Sequence, residues 1–216
     1  MTAIGSAVQT QAVTFRSEGE TLSATLYGSL PARRAAILVH GTNWDASGWA
    51  EVAPKFVARG IPALAIDMRG KGRSTGTTRE YVPGQPWSPV ADVAAAKAFA
   101  REHGATEIAL VGASLGGHAV LASSFERDNE CLVSISAPVA PVPDELSRRV
   151  HGRKLYVCAQ EDADGAFPNV LASFAALAEP KQLAVFGGTA HSRRMFTEPY
   201  ADDMLDLVVS FVAKGR

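Results

Sequence analysis

Six short apolar runs constrain this chain more than any other feature. They occupy residues 35–39, 62–66, 107–111, 131–135, 155–159 and 182–186. Each is too short for a helix and almost free of polar interruption, the pattern of a strand buried on both faces of a parallel sheet. Helical stretches separate them. Ser47 is placed to cap one with Trp49, Val52 and Phe56 on a single face, ending at Gly60. Ser88-Pro89 opens a second, which stops at His103-Gly104, and residues 115–126 follow a strand directly. Residues 170–178 end before Pro180, and Met204, Leu207, Val208 and Phe211 form the stripe of a terminal helix. Ahead of all this, residues 12–16 and 22–27 alternate around Ser17-Glu18-Gly19-Glu20, a hairpin signal. The order implies a three-layer α/β fold. Its sheet is mostly parallel, of about eight strands with an N-terminal antiparallel hairpin, in a single domain over 1–216.

Composition removes several function classes. The chain has 21 Lys+Arg against 22 Asp+Glu, so no general attraction to nucleic acid or to an anionic membrane is expected. With 47% hydrophobic and 20% charged residues it can build a core and is far from disorder. No window of 18 apolar residues offers a membrane span, and Met1 to Gln11 lacks the basic start and apolar run of a secretory leader. Cys131 and Cys158 lie in apolar runs without a CxxC partner, which points to buried thiols in a reducing cytoplasm and away from zinc.

The chemistry centres on Gly112-Ala113-Ser114-Leu115-Gly116, directly after one strand and directly before a helix. A serine on so tight a strand-to-helix turn has a strained backbone and a hydroxyl lifted above the sheet. Its neighbours two residues away must be small. The Leu115 amide then points from the helix N-terminus toward a developing oxyanion.

Here the chain resembles the α/β-hydrolase family over nearly its whole length, about 12–212. It is similar in size to small esterases and dienelactone-hydrolase-like proteins that lack a cap. The dienelactone hydrolases use cysteine where Ser114 stands. The motifs are Val39-His40-Gly41, the run Asp67-Met68-Arg69-Gly70-Lys71-Gly72-Arg73-Ser74, the serine turn, a strand leading to Asp162, and Gly187-Gly188-Thr189-Ala190-His191. The family order of nucleophile, acid and histidine is met by Ser114, Asp162 and His191. The resemblance also implies that the second oxyanion donor is the Thr42 amide, with Asn43 the alternative.

A serine hydroxyl needs a base, and the chain has five histidines. His40 belongs to the His-Gly turn, His103 to a helix end and His151 to a basic loop. His118 is tied to the helix after Ser114, where it can line a pocket. Only His191 follows the last strand through a glycine pair. For the acid, Asp162 stands three residues past Ala159, the family's small-residue position, with Asp164 second and Glu161 third. Trp44, just after the oxyanion turn, is a candidate pocket wall. The glycines of the Gly70–Gly76 stretch match neither nucleotide-binding fingerprint, and Arg69, Lys71, Arg73 and Arg79 read as a braced, solvated loop.

Residues 136–154 are about 19 residues interrupted by prolines and a glycine, too short for a cap domain, leaving 75–87 to cover part of the site. These features lead to the expectation of a serine hydrolase of small carboxylic esters or related acyl compounds, working without metal or organic cofactor. Whether it is a monomer or a homo-oligomer is left open. The alternative is a non-enzymatic protein of the same fold that binds a small molecule or a protein. The filled nucleophile, acid and base positions favour the enzyme.

Overall fold

The computed structural model describes residues 8–82, 85–125 and 129–214. The strands are β1 (Thr10–Ser17), β2 (Glu20–Tyr27), β3 (Ala32–Val39), β4 (Ala63–Ile66), β5 (Ala105–Ala113), β6 (Cys131–Ile135), β7 (Arg153–Ala159) and β8 (Lys181–Phe186). They form one sheet in the order β1-β2-β4-β3-β5-β6-β7-β8. The β1–β2 and β2–β4 pairs are antiparallel and every other pair is parallel. This is the α/β-hydrolase architecture, without a separate cap among the described residues.

Alternation along the central strands sends Ala36 and Leu38 to one face and Ile37 and Val39 to the other. The first face is covered by α1 (Ala53–Val57) and α6 (Ala201–Ala213), with Trp49 and Phe56 in its core. The second is covered by α2 (Ser88–Glu102), α3 (Leu115–Ala122) and α5 (Ala166–Ala176). Both faces are therefore dry, which explains why the runs carry so few polar residues. The connection from β6 to β7 holds only the one-turn helix α4 (Asp144–Ser147).

Several expectations need correction. The helix expected from Ser47 is a 3-10 turn, Ala46–Trp49, followed by the short α1. Asp45 caps that turn, its carboxylate accepting from the Ser47 amide at 2.9 Å. Pro62 precedes β4, and its carbonyl accepts from the Ala36 amide. The last strand is not buried on both faces. It closes the sheet as an edge strand, and Val185 is 44% exposed. On α6 the buried stripe runs through Leu205, while Leu207 faces outward. Arg69 is not solvated: it is buried and holds the fully buried Asp92. The expected helix end at Glu126 and most of the N-terminal stretch read for a leader, residues 1–7, lie outside the described residues. Among the described residues no helix is long and apolar enough to cross a membrane.

Candidate active site

Three loops at the C-terminal ends of β5, β7 and β8 meet over the sheet. On the first, Ser114 has φ 54° and ψ −123°, a conformation costing about 1–3 kcal/mol for a residue with a side chain. The turn closes because its neighbours lack side chains. A Cβ on Gly112 would strike the Gly116 backbone, and one on Gly116 would strike the carbonyls of Val39 and His40.

Ser114 Oγ donates to His191 Nε2 at 2.8 Å. His191 Nδ1 donates to both carboxylate oxygens of Asp162, at 2.8 and 2.9 Å. This arrangement requires the neutral imidazole to carry its proton on Nδ1. Asp162 Oδ1 also accepts from the amides of Asp164 at 3.1 Å and Ala166 at 3.3 Å. Burial opposes ionisation of Asp162. The hydrogen bonds from His191, the Ala166 amide and Ser136 outweigh it and hold the carboxyl below its ordinary value. The geometry thus brings together Ser114, Asp162 and His191. It leaves Asp164 on the solvent side of the ring, 3.5 Å from Nε2.

The turn after β3 is held from below. His40 Nδ1 donates to the Gly41 carbonyl at 2.7 Å, and Nε2 accepts from the Met68 amide at 3.1 Å. Burial lowers the His40 pKa, consistent with a neutral ring serving as a brace. The Asp67–Ser74 run is a second brace. Asp67 accepts from the amides of Ala46 and Arg73, and Ser74 Oγ donates to the Asp67 carbonyl. A cleft of about 350 Å³ opens above these braces. Thr42 and Leu115 line it, along with Met68, Lys71, Thr78 and Arg79. As the first residue of α3, Leu115 has an amide with no intrahelical acceptor.

Other expected contacts fall elsewhere. Asn43 is exposed. Trp44 is half-buried and ties the β3 turn to the histidine loop, its ring 5.2 Å from Trp49 and 6.3 Å from Phe196. His118 does not reach the cleft. It is buried beneath Tyr81 and Trp87, with ring centroids 4.1 and 5.4 Å away, and burial pushes its pKa down to about 4. A larger hollow of about 730 Å³ runs along α2 between Trp87, Phe125 and Arg149, but none of Thr42, Ser114, Leu115 and His191 lines it.

Ser136 was not anticipated. It is fully buried after β6, with φ 50°. Its hydroxyl accepts from the Ser192 amide at 2.9 Å and donates to Met195 Sδ at 3.4 Å, both on the histidine loop, and it favours the charged form of Asp162. One serine in a run of small residues carries no sequence signal for such a role. Apart from Glu18 in the hairpin turn, the left-handed non-glycine residues among those described are Ser114, Ser136 and Ser192. Backbone strain is thus gathered around the site.

Solved structures share this architecture. A CIB-like hydrolase of Thermoplasma acidophilum superposes with a TM-score of 0.79 at 16% identity, covering 96% of this chain and 99% of that one. An esterase of Pyrococcus furiosus gives 0.78 at 17%, covering 95% and 92%. A cold-adapted esterase from an Arctic intertidal metagenomic library gives 0.75 at 23%, covering 99% and 98%. Residues 31–184, well over half of the sequence and including both Ser114 and Asp162, match the Hydrolase_4 family, serine aminopeptidase, S33, and the chain belongs to that family of α/β hydrolases.

Proposed function

We propose that this protein is a serine hydrolase of small carboxylic esters or related acyl compounds. The observation that carries the reading is the continuous relay from Ser114 Oγ through His191 to Asp162, on a strained turn beside an open helix N-terminus. Ser114 Oγ attacks the carbonyl carbon as its proton passes to His191 Nε2. Asp162 stabilises the imidazolium from the Nδ1 side. The amides of Leu115 and Thr42 receive the charge on the carbonyl oxygen, each worth roughly 3 kcal/mol. Collapse of the tetrahedral adduct breaks the bond to the leaving group, which takes the proton from Nε2 and leaves an acyl-serine. Water, deprotonated by His191, then attacks the acyl carbon, releasing the acid and returning the proton to Ser114. No metal or organic cofactor enters these steps, and the whole chain acts as one catalytic domain.

The cleft of about 350 Å³ is bordered by Thr42 and Leu115, the two residues whose amides are assigned to the oxyanion, though not by Ser114 or His191, and the one-turn α4 provides no cap to cover a long tail. The test is labelling with a fluorophosphonate, followed by p-nitrophenyl esters of rising length. Wild type should label and turn over acetyl and butyryl esters faster than esters of 12 carbons or more. Ser114→Ala should lose labelling and at least about 10³ in turnover. An unlabelled wild type that hydrolyses no acyl substrate would return the chain to the non-enzymatic reading.

A further inference from the structure

The His191 ring meets a carboxylate on each side. Asp162 takes Nδ1 at 2.8 Å, and Asp164 Oδ2 lies 3.5 Å from Nε2. Arg194 Nη2 holds the other oxygen of Asp164 at 3.2 Å. The Asp164–Arg194 pair stands at the rim, with side chains 57% and 60% exposed. Other charged or titratable groups lie nearby: Arg193 follows His191 by two residues, and Glu198 acts on Tyr200. Cys158 and Tyr200 act on Asp162 from behind. From the turn after β3, Asp45 interacts with Arg193 and His40.

We propose that Asp164 is a positioning residue of the catalytic base, a second carboxylate that favours the charged imidazole from the Nε2 side, and that Arg194 limits its effect. The proposal rests on His191 acting as the base. Two geometric points support it. Neutral Nε2 accepts from Ser114 Oγ at 2.8 Å, and the Asp164 carboxylate, itself an acceptor 3.5 Å away, has no proton with which to compete for that lone pair. The ground-state relay is therefore undisturbed. Facing the lone pair of neutral Nε2, the carboxylate gains nothing. Once Nε2 carries the serine proton, an opposite charge is already in place, so the charged ring is favoured over the neutral one. Arg194 draws Asp164 outward and offsets part of its charge. The leaving group must collect its proton at this same edge, so the pair also borders the space it crosses.

The experiment follows the imidazole directly, independent of turnover. Two-bond proton–nitrogen spectra of the full chain are titrated over about pH 5–9, with the His191 signal assigned by its loss in His191→Gln. Asp164→Asn should lower the His191 midpoint by about half to one pH unit, a reduced shift because the pair is exposed. Arg194→Gln should raise it by a smaller amount. The acid limb of kcat/KM on p-nitrophenyl acetate should move the same way in each variant. A merely structural role would not move the two variants in opposite directions. Asp164→Ser repeats the measurement, because the backbone amide of Asp164, not its side chain, braces Asp162. An unmoved or raised midpoint in Asp164→Asn and Asp164→Ser overturns the proposal, as does a shift of the same sign in Arg194→Gln. If the midpoints move as expected but no fluorophosphonate labelling occurs, the coupling of Asp164 to the ring stands and the hydrolase reading falls.

Discussion

Replacing Asp162 with asparagine changes one atom, and the structure dictates where the change falls. Oδ1 accepts from two backbone amides, those of Asp164 and Ala166, so that position must remain an oxygen. The new NH₂ group therefore takes the place of Oδ2, which lies 2.9 Å from His191 Nδ1. The Nδ1 proton keeps Oδ1 as an acceptor at 2.8 Å but now also meets an N–H donor at 2.9 Å, which weakens the hold on this tautomer and favours moving the imidazole proton to Nε2. That tautomer presents a donor to Ser114 Oγ and can no longer accept its proton. The same tautomer error costs about 10⁴ in turnover in a well-studied protease triad, or about 5.5 kcal/mol of barrier. A loss of 10³ to 10⁴ in kcat/KM is expected here. The assay is p-nitrophenyl acetate hydrolysis at pH 8, with near-ultraviolet circular dichroism to show that the fold survives. Asp164→Asn serves as the comparison and should cost less than about tenfold, since its carboxylate makes no hydrogen bond to Nδ1. A loss below tenfold in Asp162→Asn beside a large loss in Asp164→Asn would refute the reasoning.

Gly116→Ala should destabilise the fold by about 1–3 kcal/mol or more and abolish labelling, because the Cβ meets backbone carbonyls that cannot step aside; urea melts with labelling decide it. Asp92→Ala should cost about 3–5 kcal/mol by leaving the Arg69 guanidinium buried with only the Ser17 hydroxyl and the exposed Glu18, and a loss under about 1 kcal/mol in urea would contradict this. Asp162 has a folded-state pKa below its unfolded value. Its contribution to stability is therefore present above the unfolded value, near pH 4, and is lost as pH falls through the folded one. Stability against pH should be flatter below pH 4 in Asp162→Asn than in wild type, measured by thermal melts.

Much of the fold was legible because the sheet is buried on both sides. Strands in that position must be apolar at every residue, and helices between them must show a periodic face, so both leave local signatures. The serine turn was legible for a similar reason. Gly112 is required by a collision with the Gly116 backbone four residues on, whereas Gly116 is required by the approach of the turn after β3. Asp162 and His191 were singled out through the family's chain order and their distance from strand ends, and the structure brings them together.

The misses have a common physical cause. Arg69 looks like a loop cation in sequence, yet it is buried because Ser17 and Asp92, distant along the chain, converge on it. His118 sits four residues past Ser114, but Tyr81 and Trp87 pack over it, away from the cleft. Leu205 and Leu207 have the same side chain, and only the packing of α6 on the sheet decides which is buried. Ser136 holds the histidine loop and favours the charged form of Asp162 without any local mark. The amino-acid sequence by itself determined most of the elements and the serine turn, which follow from local apolar pattern and small neighbours, and it ranked Asp162 ahead of Asp164 only through the order and spacing of a family resemblance. The tertiary structure alone decided which carboxylate faces which nitrogen of His191. That choice depends on the convergence of three loops from three strands, where a difference of less than an ångström separates a hydrogen bond from a neighbouring charge.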